Sequence, residues 1–217
     1  MLGLDDQVIA ALPELGHGLL MTLTLTLLAA LLSLVCGQII CFIQLRNAWL
    51  WRVTGRLYVS LMRGTPAIVQ LFVVFFTLPR LGLGGQPMLA AVLAIGLNSG
   101  AYVAEILRVN QSLVTRGQRE AARTLGLNRW LTWWYVINPQ VIRASLPMLV
   151  NEFTILLKTT PLASVVALTE LTYAGQIVIA RTYDATQVLL LVSAGYLLIA
   201  LPLISAVRHL EAKRRMA

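Results

Sequence analysis

Long apolar blocks are the feature that most constrains the fold of this chain, because about 20 consecutive apolar residues are enough to cross a bilayer as a helix. Hydrophobic residues make up 58% of the 217 residues, and only 12% are charged. Five or six such blocks would use most of the chain and leave no room for a separate soluble enzyme. We therefore predict an all-α membrane protein with about five transmembrane helices. The predicted spans cover residues 18–42, 66–83, 87–107, 144–168 and 186–207.

The positions of the basic residues predict how the chain is oriented across the membrane, because cytoplasmic loops of membrane proteins concentrate Lys and Arg. Most of the 17 basic residues follow the first span, separate the third from the fourth, or follow the fifth. The other side holds mainly acidic residues, namely Asp5, Asp6, Glu14, Glu170 and Asp184, with Arg80 and Arg181. We predict the N-terminus outside and the C-terminus in the cytoplasm. Residues 1–17 form the outer segment, 18–210 the transmembrane domain and 211–217 the cytoplasmic tail. The same bias explains the net charge of +8 without a nucleic-acid partner.

A polar loop, residues 109–140, separates the third and fourth spans and is cytoplasmic in this orientation. Residues 120–125 are good helix formers, and Gly126 is a natural helix end. Residues 127–136 are predicted to form a second short helix that ends at Pro139. A compact helix–glycine–helix unit of this kind suits a groove on a soluble partner, whereas an ordinary solvated loop is the alternative.

Polar residues inside the predicted spans are candidates for function. Counting from Arg143 at 1.5 Å per residue places Glu152 about 13 Å deep, near the middle of the bilayer. A charge in lipid costs several kcal/mol, so Glu152 is predicted to be functional, with a structural role as the alternative. Lys158 lies about 9 Å further outward, where its ammonium group can reach the interface. Thr159, seven residues after Glu152, shares its helical face.

The third span carries a second polar face and a run of small residues. Asn98 and Glu105 are seven residues apart on one face, and Glu105 is expected to be hydrated or paired with Arg108. Gly96 and Gly100 could line a substrate path, although small residues in spans more often allow helices to pack closely.

Several motifs resemble those of the permease subunits of polar amino-acid ABC importers. Residues 63–72 (Arg-Gly-Thr-Pro-Ala-Ile-Val-Gln-Leu-Phe) resemble the start of the family's second helix. Residues 117–127 (Gly-Gln-Arg-Glu-Ala-Ala-Arg-Thr-Leu-Gly-Leu) look like its EAA coupling motif. Further similar segments, in the family's order within about residues 22–210, are 97–108, 135–140, 151–153 and 156–160. The chain departs from the family at Asn138, usually Leu, at Thr159, commonly Asp, and at Pro161, commonly Ser.

The resemblance implies a multi-pass protein of the bacterial inner (cytoplasmic) membrane that works within an assembly. A second permease subunit, identical or paralogous, completes the pore; two cytoplasmic ATPase subunits drive it; and a periplasmic or lipoprotein binding protein delivers the amino acid. The implied coupling residues are Glu120, Ala121, Ala122, Gly126, Ile137 and Pro139. The expected substrate-path residues are Glu152, Thr159 and Asn98.

Two other function classes fit the residues less well. An intramembrane enzyme would need a base or metal ligands inside the spans, but His17 and His209 lie at opposite membrane margins, and Cys36 and Cys41 share one apolar segment. A stand-alone channel or secondary transporter often shows internal repeats, which are not evident here. The chain has no Walker-type phosphate loop, so we expect that it does not hydrolyse ATP itself. We expect it to be non-catalytic, with no bound metal or cofactor, and we expect ATP and magnesium on the ATPase partner.

Overall fold

The computed structural model describes residues 6–46 and 48–215, and all regular structure within these ranges is helical. Asp5 and the remaining parts of the predicted terminal segments, residues 1–4 and 216–217, lie outside the described residues. The helices are α1 (Asp6–Ala10), α2 (Leu12–Gln44), α3 (Trp49–Gly64), α4 (Ala67–Thr77), α5 (Pro87–Asn110), α6 (Arg116–Thr124), α7 (Arg129–Leu131), α8 (Asn138–Thr159), α9 (Leu171–Thr182) and α10 (Ala185–Arg215).

Three of these helices are long and apolar enough to cross a membrane alone, namely α2, α5 and α10. Two further spans are possible if each of two bent helix pairs counts as one crossing. The first pair is α3 with α4, bent by 107°, and the second joins α7–α8 to α9, bent by 52°. The prediction of an all-helical fold is confirmed, with three to five candidate spans, whereas the orientation across the membrane stays a prediction.

The second span differs most from its predicted form. Helix α4 and the following 3-10 turn, Leu78–Leu81, together contain 15 residues, or roughly 22 Å of helix, against a hydrocarbon core of about 30 Å. Helix α3 occupies residues predicted to be a loop. Its Trp49 and Trp51 are exposed, as expected of interfacial residues. Tyr58 of the same helix donates a hydrogen bond of 2.6 Å to the Leu97 carbonyl of α5.

Helices α2 and α5 form the centre of the fold, where small side chains let the two backbones approach. A Cβ atom added at Gly96 would lie 2.8 Å from Leu32 Cδ2 and 3.1 Å from the Ala29 carbonyl oxygen. Gly96 therefore packs α5 against α2. This contact supports the packing interpretation of the small residues in the third span over a path-lining role.

Helix α9 has no counterpart among the predicted spans. It packs with α1 and α10 in a buried cluster that includes Val8, Leu15, Leu171 and Val178. Arg181 at its C-terminal end forms an ion pair with Glu14, near the start of α2. The predicted outer segment and the end of α9 therefore lie at the same end of the bundle.

Candidate functional site

The polar loop contains a well-capped helix, α6, and its glutamate points outward. The Thr115 hydroxyl caps the N-terminus by accepting a hydrogen bond from the Gln118 amide at 3.4 Å. Glu120 and Ala121 are exposed, whereas Ala122 is buried. Ala122 therefore packs the helix against the rest of the protein, whereas Glu120 and Ala121 are exposed and open to contact by another protein.

Gly126 ends α6 in a left-handed conformation, with φ of 77°. Its amide donates to the Arg123 carbonyl at 2.9 Å, and the Leu127 amide donates to the Ala122 carbonyl at 3.0 Å. This pair of bonds defines a Schellman motif, in which a residue with a Cβ atom would be strained. The turn leaves Leu125 79% exposed, an unusually open position for a leucine beside a capped helix end.

The second half of the loop continues directly into the next long helix. Asn128 caps α7 by accepting from the Leu131 amide at 2.9 Å, and a π-helical segment, Thr132–Ile137, leads into α8 without a break. The prediction that Pro139 ends a helix is wrong. Pro139 lies in the first turn of α8, directly after the π-helical segment, and the helical backbone continues through it. Ile137 is buried and Pro139 is exposed.

The polar side chain at Asn138 has a partner in α2. The Gln38 amide nitrogen donates to Asn138 Oδ1 at 2.5 Å, and Asn138 is only 6% exposed. Gln118 of α6 also bonds to Gln140 of α8 at 3.2 Å. The loop is therefore attached to the bundle on both sides.

Glu152 is buried between α8 and α5. It is 7% exposed, and its Oε1 accepts a hydrogen bond of 2.8 Å from the Ser99 hydroxyl. Ser99 is a neutral donor, so the carboxylate is hydrogen-bonded but has no ion pair among the described residues. This arrangement leaves a buried carboxylate able to attract a cationic group.

Asn98, next to Ser99, belongs to a different set of hydrogen bonds. Its amide donates to the Met62 carbonyl at 2.8 Å and to Gln70 Oε1 at 3.1 Å. The Gln70 amide in turn donates to the Met62 carbonyl at 2.9 Å and to the Thr65 hydroxyl at 2.7 Å. These amides satisfy carbonyl groups left open where Pro66 interrupts the helix between α3 and α4.

The three predicted path residues have separate hydrogen-bond partners in the structure. Asn98 and Glu152 both lie at the contacts of α5, whereas the Thr159 hydroxyl donates to the Ile155 carbonyl within α8 at 2.9 Å. Lys158 is exposed. Glu105 is paired with Arg108, as expected for a residue near the end of the span.

Sequence reasoning missed the structural importance of Glu170, which is fully buried at the start of α9. Its carboxylate accepts hydrogen bonds from the Thr172 and Tyr173 amides, at 2.9 and 2.8 Å, and from the Tyr196 hydroxyl of α10, at 2.7 Å. The Leu171 amide donates to the Thr22 hydroxyl of α2 at 3.0 Å. An acidic residue before a helical run is the available signal.

Comparison with known proteins identifies the class. The family of binding-protein-dependent transport system inner membrane components matches residues 29–216. Within the described ranges no three His, Cys, Asp or Glu residues are grouped so that they could hold a metal ion. The chain belongs to this family, whose members are non-catalytic permease components with several spans in the inner membrane.

Particular relatives are similar over nearly the whole chain. The glutamine transport system permease protein GlnP of Escherichia coli is 39% identical over 208 residues, covering 95% of this chain and 94% of that protein. The L-cystine transport system permease protein TcyB of Bacillus subtilis is 36% identical over 202 residues, covering 93% and 86%. A crystal structure of an amino acid ABC transporter with histidines aligns with a TM-score of 0.84 at 32% identity, covering 98% and 100%.

Proposed function

We propose that this chain is the permease subunit of an ATP-driven importer and that, with a second permease subunit, it forms the translocation path for a polar amino acid. The observation that carries the proposal is the buried pair of Glu152 and Ser99, a carboxylate with a neutral partner between two core helices. The substrate class is supported by relatives named for glutamine and cystine transport. The second subunit is an identical copy or a paralogue.

Glu152 and Thr159 suit an amino acid with an ammonium group. The carboxylate would exchange its bond with Ser99 for a charge-assisted bond to the α-ammonium group or to a side-chain cation. The Thr159 hydroxyl already donates to Ile155, so its oxygen remains available as an acceptor. The two positions are about 10 Å apart along α8. Asn98, in this proposal, positions the path by holding the α3–α4 bend against α5.

The polar loop is proposed to couple transport to ATP hydrolysis in two separate ATPase subunits. Glu120, Ala121 and Leu125 present an open face, while Ala122, Gly126 and Ile137 fix the turn and its attachment to α8, which begins at Asn138 and Pro139. Glu120 is the fifth of the nine residues of α6, so its carboxylate would act through this exposed face and not through the helix N-terminus. ATP and magnesium belong to those ATPase subunits, and a periplasmic or lipoprotein binding protein delivers the substrate from outside.

Reconstitution tests the proposal. The chain, co-expressed with the ATPase, permease and binding-protein genes that neighbour its own, is purified and placed in liposomes. Labelled glutamine, cystine, histidine and arginine are then offered with the binding protein. Uptake of at least one of them that requires both ATP and the binding protein is expected. Uptake that continues without ATP would contradict the proposal and favour a stand-alone transporter.

The proposed orientation has its own test. Single cysteines at Thr115, in the polar loop, and at Thr182, at the end of α9, are introduced into a variant in which Cys36 and Cys41 are replaced by Ala. A membrane-impermeant thiol reagent added to intact cells should label the cysteine at position 182 and spare the one at 115. Labelling of position 115 alone would reverse the orientation.

A further inference from the structure

A basic cavity lies between the polar loop and the end of α2. It has a volume of about 440 Å³, and its lining includes Arg46, Arg119, Arg123 and Arg129. No acidic side chain lines it. Arg46, Arg119 and Arg123 form no ion pair with a carboxylate anywhere in residues 6–46 and 48–215. We name this cavity the basic cup; the charges of Arg46, Arg119 and Arg123 are not balanced by a carboxylate within it, and they favour an anion.

An apolar groove adjoins the basic cup and follows α2 and α8. It has a volume of about 610 Å³, and its lining is apolar except for Gln38 and Asn138, which bond to each other. From Leu34 to Phe42 the groove runs for about 12 Å along α2, close to the ~15 Å hydrocarbon depth of one leaflet. The groove and the cup share Phe42, Trp130 and Trp133.

The boundary between cup and groove has the composition of a membrane–water interface. Trp130 is 53% exposed and packs edge-on against Phe42 at 5.3 Å and against Trp134 at 5.5 Å. Tryptophan rings concentrate at the headgroup level of membranes, with Lys and Arg beyond them. The groove therefore extends toward the hydrocarbon, and the cup toward the headgroups and water.

We propose that the basic cup and the apolar groove together bind one anionic phospholipid, with its phosphate on the arginines and an acyl chain in the groove. A free phosphate would use the cup alone. An extended protein segment in the groove would leave its backbone polar groups without partners, because Gln38 and Asn138 already bond to each other. A helix would satisfy its own backbone groups, but an apolar helix would bring no negative group to the arginines of the cup. An amphiphile with a negative head fits both volumes. Its binding would fix the polar loop relative to α2.

Tryptophan fluorescence tests this site directly. The chain has five tryptophans, and replacing Trp49 and Trp51 with Phe leaves only the three that line the groove or cup. The full-length variant, in its assembled complex, is titrated in detergent with phosphatidylglycerol brominated on its acyl chains, and separately with brominated phosphatidylcholine. We expect phosphatidylglycerol to quench the fluorescence at a much lower mole fraction.

Charge variants identify the headgroup site. Arg46→Gln with Arg123→Gln should lower the preference for phosphatidylglycerol about 30-fold, since each basic residue near an anionic lipid contributes about fivefold. The matched control, Arg52→Gln with Arg56→Gln, removes two arginines of α3 that do not line the cup and should keep the preference. Millimolar glycerol phosphate should not compete.

Four results would overturn the proposal. Equal quenching by both lipids would show that the groove does not select a headgroup. An equal loss of the phosphatidylglycerol preference in both double variants would show that the preference comes from general surface charge and not from the cup. Competition by glycerol phosphate would assign the cup to a soluble anion. Quenching that appears only after the ATPase is removed would show that the ATPase covers the cup and groove in the complex.

Discussion

The polar loop and the contact between α5 and α8 hold their polar groups in opposite ways. In the loop, backbone bonds close around Gly126 and leave Glu120 and Leu125 exposed. At the α5–α8 contact, a side-chain bond joins Glu152 to Ser99 and both residues are buried. A surface that meets a separate subunit needs a rigid backbone and open side chains. A site for a small ligand needs buried groups that can exchange partners.

The largest expected effect comes from breaking the turn of the loop. Gly126→Val forces a β-branched residue into the left-handed region, which costs at least about 1–2 kcal/mol and moves Leu125. We expect the protein to reach the membrane but ATP-dependent uptake to fall at least tenfold, with loss of ATPase co-purification. Glu120→Lys, which reverses the charge of the exposed face, should act in the same direction.

A second glycine provides the control for this variant. Gly117 lies within α6 and has no positive φ, and a Cβ atom added there would meet no other atom within 4 Å. Gly117→Val should therefore keep most of the ATPase association. Equal losses at positions 117 and 126 would show that bulk in the loop, not the turn, causes the defect.

The next effect concerns the buried pair. Glu152→Gln keeps the shape and a hydrogen-bond acceptor for Ser99 but removes the negative charge. We expect uptake to fall about tenfold or more, since a charge-assisted bond to a cation is worth roughly 1.5–3 kcal/mol, while ATPase co-purification is unchanged. Glu105→Gln, at a more exposed carboxylate paired with Arg108, is the control and should transport nearly normally. Normal uptake by Glu152→Gln would leave Glu152 with a packing role.

A smaller effect, on stability alone, is expected at Glu170. Glu170→Ala leaves two amides at the start of α9 and the Tyr196 hydroxyl without their acceptor. The free energy of unfolding should fall by about 2–4 kcal/mol, measured by denaturation in mixed micelles. Glu14→Ala, at an exposed ion pair, should cost about 0–1 kcal/mol. A similar cost at both sites would show that Glu170 does not stabilise the start of α9.

The smallest effect lies where the loop joins the bundle. Asn138→Leu restores the residue usual in the family but leaves the Gln38 amide without its partner in an apolar groove. We expect a loss of about 1–2 kcal/mol in unfolding free energy. Gln38→Leu in the same chain should recover most of it, because both polar groups are then removed. Additive losses in the double variant would show that the two residues do not depend on each other.

Sequence reasoning predicts the features that depend on local composition. The apolar blocks of α2, α5 and α10 are continuous, so hydropathy alone finds them. Gly126 is recognisable because a left-handed helix end strongly prefers glycine. Counting from Arg143 predicts a depth in the bilayer for Glu152, which stays a prediction, and it does not predict the burial of Glu152 against α5.

Features that depend on distant partners could not be predicted. Ser99 and Glu152 are separated by 53 positions, and Gln38 and Asn138 by 100, so nothing near either residue indicates its partner. Helix α9 contains only 12 residues, too few for a span, and its first turn depends on side chains from α2 and α10. The prediction for Pro139 is wrong because the same residue type can end one helix or begin the next.

The bend at Pro66 has a mechanical consequence. The proline ring prevents α3 and α4 from straightening into one helix, and the amides of Gln70 and Asn98 hold the Met62 carbonyl from two sides. Helices α3 and α4 thus behave as one rigid, bent unit that is hydrogen-bonded to α5 at the bend. Displacement of α3, which begins a few residues after Arg46 of the basic cup, would be transmitted as rotation of α4 rather than absorbed at the corner.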